Sequence, residues 1–315
     1  MQLFSAKITT SIWPRLVWKK RGVEGRRAKY GYIFALPWII GLLLFYAYPL
    51  LSSIYYSFAN YNVVSPAEWV GFNNYKELFN DPLFWTGIKN TFYYAFFAVP
   101  ISVVLGVSLA LLLNMPIRCR SFFRTVFFIP TLVPVVATAI IWQWLLNPQF
   151  GLINYLLETL GISGPPWFGS PKWSKPSLIL MAQWGIGNSD IIYLAGLQDI
   201  SKDYDDAARV DGASGLRKVW HITLPLLTPV IFFNMIMGII NALQVFTLPY
   251  ALTYGTGNPA NSLLFYSMYL YNNAFLYMKM GYASAMAWIL FAVIMAITLL
   301  LFRSSGRWVY YHGDQ

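Results

Sequence analysis

Charge is scarce in this chain of 315 residues. Asp, Glu, Lys and Arg make up 11% of it against 57% for hydrophobic residues, whereas a soluble domain carries about a quarter charged residues. The deficit excludes an ordinary water-soluble domain and points to lipid as the main solvent. Cysteine is nearly absent too: Cys119 stands alone, so there is no internal disulfide framework. The only histidines are His221 and His312, and no His/Cys/carboxylate cluster has metal-ligand spacing. No serine has a plausible base in the same membrane layer. No metal, no cofactor and no catalytic residue is therefore expected. A Gly-x-x-x-x-Gly-Lys-Ser/Thr phosphate loop is also missing, and no Gly-Lys dipeptide occurs anywhere. That cradle needs its lysine and its backbone N–H groups, so any ATP that drives this protein is hydrolysed on another chain. No internal repeat and no separable soluble domain is visible.

What is present is a set of apolar runs near 30–53, 91–113, 122–146, 177–197, 227–252 and 282–302. Each is long enough to cross about 30 Å of hydrocarbon as a helix, which takes about 20 residues. Backbone groups in lipid must bond internally, and the run Ile101–Leu113 does not alternate as a barrel strand would. The expected fold class is an all-α membrane protein, a bundle of six transmembrane helices. The first run is followed by no Ala-x-Ala-like cleavage site and reads as a retained helix rather than a signal peptide.

The net charge of +10 could suggest nucleic acid, but its distribution argues against that partner. With the N-terminus in the cytoplasm, only Lys76, Lys89, Lys172, Lys175 and Lys279 of the 22 basic residues fall outside. This is the positive-inside asymmetry. It places both termini and the 198–226 loop in the cytoplasm.

Residues 1–29 read as a basic cytoplasmic tail, either disordered or carrying a short interfacial helix at Ile12–Lys20. Residues 30–305 are the transmembrane domain and 306–315 a cytoplasmic C-terminal tail. The first helix contains Pro37 and is expected to end near Pro49. Outside the membrane, Val70–Tyr75 and Asn80–Trp85 look like a compact turn and helix cap. The third helix carries Pro130 and Pro134, which bend it, either to line a cavity or to relieve packing. The outer loops 147–176 and 254–281 are rich in aromatics. These suit interfacial belts or a platform for a substrate-delivering protein.

The polar stretch 203–225 interrupts the apolar pattern. Ser201 can cap a helix whose first turns hold Asp203, Asp205 and Asp206, where the helix dipole favours acids. Ala207, Ala208 and Val210 give a smooth face. Gly212, between Asp211 and Ala213, permits a left-handed turn. Ser214 caps a second helix with Leu216, Val219 and Trp220 on its apolar face, and Pro225 is expected to end it at the membrane boundary. The product is a helix–turn–helix knuckle, either a solvated connector or a part that enters a groove on a partner.

The run Asp206-Ala207-Ala208 … Asp211-Gly212-Ala213-Ser214 … Ile222-Thr223-Leu224-Pro225 resembles the signature "E-A-A-x-x-D-G-A-S … I-T-L-P" of the membrane subunits of binding-protein-dependent (type I, MetI-like) ABC importers, in their carbohydrate branch. The resemblance extends over about residues 30–305. Asp206 stands where Glu is commoner, Val219 where Phe is frequent and Ser201 where Pro is frequent. The resemblance implies that this loop docks on an ATPase, with Asp206, Ala207, Ala208, Asp211, Gly212, Ala213 and Pro225 as coupling residues. It also implies two ATPase subunits, a second homologous permease, an extracytoplasmic solute-binding protein, and residence in the bacterial inner membrane. The cargo implied is a sugar, an oligosaccharide or a related polyol or glycerol phosphate.

Polar residues inside the spans are the remaining candidates, because an aspartate at mid-helix costs about 2.5–3.5 kcal/mol on insertion scales. Asp190 follows Gly185 and Asn188 in the fourth helix. In the fifth, Asn234, Gly238, Asn241 and Gln244 share one helical face by their +4, +3 and +3 spacing. Amides donate and accept, which suits a hydroxyl-rich ligand; they also serve as glue between helices. Asp190 opens a rival reading, a gradient-driven carrier that uses it as a proton or cation site.

Overall fold

The computed structural model describes residues 23–310 except residue 117; the side chains of residues 23–28 and of Asn188 lie outside that description. The expected interfacial helix at Ile12–Lys20 also lies outside the described residues. The chain forms two compact units, residues 1–53 and 54–315.

α1 (Val23–Leu42) passes through a π-turn, Leu43–Ala47, into α2 (Tyr48–Ser57), within which the first unit ends. The expected end near Pro49 is not observed. Proline has no N–H and its ring clashes with the carbonyl four residues back, but here that carbonyl belongs to the widened π-turn. The N–H of Tyr48 bonds five residues back to Leu43, and the helix continues.

After the end of α2, the second unit continues with a two-residue antiparallel pair, β1 (Ala59–Asn60) with β2 (Glu68–Trp69), and α3 (Asn73–Asn80). The long helix α4 (Pro82–Asn114) follows. Asp81 caps it by accepting from the N–H of Leu83 at 2.8 Å, with Pro82 next in its first turn. The expected turn and cap are thus present.

The third apolar run is not one helix. α5 (Arg120–Phe128), a 3-10 turn at Ile129–Leu132 and α6 (Val135–Leu145) meet at 102°. Pro130 and Pro134 each remove a backbone donor at the break. The fourth run is broken as well. α7 (Leu152–Thr159) lies in the outer loop, and α8 (Pro171–Ala182) is separated from α9 (Gly187–Asp199) by a 3-10 turn, Gln183–Gly185. By length and composition, the helical segments Lys29–Ser57, Pro82–Asn114, Gly215–Thr253 and Met280–Ser305 are each long and apolar enough to cross a membrane, and the bent third run makes a fifth. The bend expected from Pro130 and Pro134 is thus present in the third run, while the break in the fourth, read as one helix, is a correction.

The polar knuckle comprises α10 (Lys202–Val210) and α11 (Gly215–Lys218). A second π-turn, Val219–Thr223, leads into α12 (Leu224–Leu243), then α13 (Thr247–Thr253). Pro225 therefore does not end the second knuckle helix. As before Pro49, a π-turn absorbs the missing donor, Leu224 N–H bonding to Val219 O, and the segment Gly215–Thr253 is 39 residues long. The fold closes with α14 (Tyr266–Tyr271) and α15 (Met280–Ser305).

At the centre, α4 packs against α8, α9, α12 and α14. The middle of the core joins Tyr94, Ala98 and Val99 of α4 to Leu178 and Met181 of α8, Ala139 of α6 and Ala242 of α12. Close approach depends on small residues, as expected between membrane helices. A Cβ on Gly238 would sit 3.2 Å from Val99, and one on Gly196 would sit 2.7 Å from Val230. Past α15, Val309 is buried with Phe232 and Ile236 of α12, and the N–H of Tyr310 donates to Thr228 Oγ1 at 2.9 Å. Val309 and the backbone of Tyr310 therefore tie the segment after α15 to α12.

Candidate functional site

Two regions bring the candidate residues together. The first is the polar knuckle. Ser201 Oγ accepts from the N–H of Asp203 at 3.2 Å and so caps α10, whose first turn holds Asp203 and Asp205 and whose last turn holds Arg209. Charge and helix dipole agree at both ends. The helix closes with Asp211 N–H bonded to Ala207 O, Gly212 N–H to Arg209 O and Ala213 N–H to Ala208 O. Gly212 has φ of +70° with open space around its α-carbon, so backbone conformation rather than crowding calls for glycine there. Ser214 caps α11 through the N–H of Arg217, and Lys218 pairs with Asp205 at 3.0 Å, bracing the two short helices.

Of the predicted coupling residues, Ala208 is buried and secures α10, while Asp206, Ala207, Asp211 and Gly212 are exposed. Ala213 and Pro225 are half-buried. Asp206 has only a loose contact with Arg209, 3.8 Å, between two largely exposed side chains. Val210 is 88% and Leu216 76% exposed beside it.

The second region is a cavity of about 210 Å³ among α4, α8, α9 and α12. Asn234, Gly238 and Asn241 of the predicted stripe line it, with Tyr94 and Ser102 of α4 and Ser189 and Tyr193 of α9 opposite. Asn234 donates to Val230 O on its own helix at 3.0 Å, and Ser102 donates to Gln183 Oε1 at 2.7 Å. Asn234, half-buried, and Asn241, exposed, line this space together with hydroxyl-bearing residues. The arrangement can hold a small polar molecule through hydrogen bonds, with ring faces beside it.

The other predicted members of the path separate from it. Gln244 caps the C-terminus of α12, past the last helical turn, and is exposed. Gly185 lines a different cavity, of about 520 Å³, together with Pro130, Thr131 and Leu132 of the broken third run. Asn188 lies in α9, its side chain outside the description. Asp190 is buried and stands apart from the 210 Å³ cavity, in the electrostatic field of Arg124. The sequence reading missed Tyr94 and Ser102, although Tyr94, Ala98, Ser102 and Gly106 recur every four residues along one face of α4. Gly106 completes that stripe by making room for the Tyr193 ring, which would touch a Cβ at 2.9 Å.

At the start of α4, Asp81 accepts from the hydroxyls of Tyr269 and Tyr282, the latter at 2.7 Å. Burial raises the pKa of this carboxyl, but the two tyrosine hydroxyls and the N–H groups of Leu83 and Phe84 outweigh that and hold it below 3.8. Burial and the bond to Asp81 push the Tyr269 phenol up to about 12. Asn90 donates to the carbonyls of Asn261 and Leu264 and accepts from Lys175 at 3.0 Å. Burial lowers the pKa of Lys175.

Comparison with known proteins agrees with this arrangement. Residues 102–312 match the family described as "Binding-protein-dependent transport system inner membrane component". The chain is 40% identical over 288 residues to the probable ABC transporter permease protein YesP of Bacillus subtilis, covering 90% of this chain and 93% of that one. It is 36% identical over 270 residues to the sulfoquinovosyl glycerol transport system permease protein SmoG of Agrobacterium fabrum, covering 85% and 87%. Among solved structures it superposes with a TM-score of 0.80, at 25% identity, on a chain of a bacterial ABC transporter involved in importing the acidic polysaccharide alginate, covering 90% of this chain and 97% of that one.

Proposed function

The chain belongs to the family of binding-protein-dependent transport system inner membrane components, and on that premise we propose that it forms half of the path by which an ATP-driven importer takes up a sugar or oligosaccharide. It is a transport subunit with an importer-permease fold. The cargo class is supported by its relatives, which include permeases for sulfoquinovosyl glycerol, lactose and arabinooligosaccharides. The second half of the path is a homologous permease. Two ATPase subunits dock below, an extracytoplasmic binding protein delivers cargo from outside, and both termini face the cytoplasm.

The observation that carries the reading is the knuckle. Asp206, Ala207, Val210 and Leu216 are exposed on two short helices that Lys218–Asp205 braces together and that the chain joins directly to α9 and α12. Those two helices line the 210 Å³ cavity. A force applied to the knuckle thus reaches the walls of the cavity through short connections. Alternating access follows when ATP-driven closure of the ATPase pair displaces the knuckle and tilts these walls. The polar lining of Asn234, Asn241 and Ser102 suits hydroxyl-rich cargo better than an ion.

The rival, a gradient-driven carrier that titrates Asp190, gains no support from that residue's position beside Arg124 and apart from the cavity. Vesicles containing this chain, its partner permease and the ATPases decide between them. Uptake that requires ATP and binding protein and is blocked by vanadate is expected. Uptake that persists without ATP and collapses with the proton gradient would overturn the proposal.

A further inference from the structure

The start of α9 sits directly on the end of α5. A Cβ on Gly187 would lie 2.2 Å from the carbonyl oxygen of Phe127 and 3.1 Å from the α-carbon of Phe128, so only glycine allows this contact. One turn along α9 is Asp190, 4% exposed, and one turn back along α5 is Arg124, whose charge acts on it. The spacings 187–190 and 124–127 set the backbone contact and the charge pair on one seam between the two helices. Oδ1 of Asp190 and Nε and Nη2 of Arg124 are all buried without a hydrogen-bond partner. A charge in that position needs compensation, and the field of Arg124 supplies it to Asp190 across the seam without a direct hydrogen bond.

The seam lies at a mechanically informative place. α9 runs without interruption to Asp199, two residues before the Ser201 cap of α10. α5 runs into the turn Ile129–Leu132, where the third span bends by 102°. We propose that Asp190 is the counter-charge of Arg124, and that the pair fastens the cytoplasmic half of the third span to α9, so that movement of the knuckle is carried through α9 to the Pro130–Pro134 bend. Both are positioning residues, since neither touches cargo. The inference rests on the coupling role proposed for the knuckle and gives Asp190 a task that involves no ion transport.

The test uses the complete transporter in vesicles and reads cargo taken up per ATP hydrolysed. Asp190→Asn and Arg124→Gln are each expected to lower that ratio about tenfold while hydrolysis continues, and the exchange Arg124→Asp with Asp190→Arg to recover most of it. A purely structural contact would change the amount of assembled transporter and leave the ratio alone. Spin labels at the exposed positions Phe123 and Ile191 give a second reading that needs no exchange variant. Their separation should stay constant through the ATP cycle in the wild type and vary in Asp190→Asn. An unchanged uptake ratio in Asp190→Asn, or a wild-type separation changing by more than about 5 Å, one helical turn, overturns the proposal. If Asp206→Lys abolishes ATP-driven uptake while Asp190→Asn leaves it intact, the latch falls and the importer reading stands; ATP-independent uptake removes both.

Discussion

The outer cap and the inner knuckle are both loops between apolar segments, yet they are built in opposite ways. The outer cap is tied to distant parts of the chain. Asn90 holds the backbone at Asn261 and Leu264, Ser174 meets Ser262 at 2.7 Å, and Thr91 Oγ1 accepts from the N–H of Tyr266. Asp81 gathers Tyr269 and Tyr282, and Lys279 reaches Glu77 at 3.2 Å. The inner knuckle is shaped by local bonds: two serine caps, a glycine turn and one brace from Lys218 to Asp205. It also leaves Val210, Leu216 and Trp220 in water. Cross-links over long sequence distances preform a surface. Local bonds give a part that keeps its own shape while its position shifts. In the proposed orientation, the outer face is thus a cross-linked platform and the inner face a locally braced plug.

The contrast can be broken most severely at the plug. Asp206→Lys reverses the charge offered to the ATPase. With desolvated charge pairs worth about 2–5 kcal/mol or more across interfaces, ATPase affinity should fall about thirtyfold or more. Vesicle uptake should vanish while membrane insertion stays normal; wild-type uptake by this variant would contradict the docking role. Gly212→Val is next, because a β-branched residue at φ of +70° costs on the order of 1–3 kcal/mol. Uptake should drop severalfold with thermal stability of the bundle nearly unchanged, since the strain is confined to the plug.

Between the two faces, the cavity sharpens the comparison. Asn241→Leu removes one neutral hydrogen-bonding group, worth about 0.5–1.5 kcal/mol, and should raise the half-saturating cargo concentration by about two- to tenfold. Gln244→Leu, outside the cavity, should leave it unchanged. Equal effects of the two would detach the stripe from cargo. The smallest effect is expected at the platform. The Asp81 carboxyl has its folded pKa below 3.8, so its contribution is present above that pH and is lost as pH falls through the folded value. Between pH 5 and pH 3 the melting temperature of the wild type should decline slightly more than that of Asp81→Asn. Parallel declines would remove Asp81 as a staple of the outer cap.

The knuckle was legible in the sequence because its signals are local. Ser201, Gly212 and Ser214 each act within four residues, and their caps and left-handed turn appear where the spacing puts them. The spanning segments were legible as apolar runs, but their continuity was not. Pro49 and Pro225 read as helix ends, whereas a π-turn just before each carries the helix past it; the widened turn has no residue signature of its own. The reverse error occurred in the fourth run, where hydropathy hides the turn at Gln183–Gly185. Half of the cavity stripe was found from amide spacing on α12. The α4 half, Tyr94 and Ser102, lay in a run read only for its hydrophobicity. Asp190 drew attention as a lone acid, but Arg124 lies 66 positions earlier and only folding brings the two together.

The unbroken helical run from Gly215 through the π-turn to Leu243 has one more consequence. At about 1.5 Å per residue it measures about 44 Å, more than the hydrocarbon thickness of about 30 Å. One rod thus carries part of the knuckle at its foot and the amides Asn234 and Asn241 higher up, so whatever turns the foot turns the grip as well.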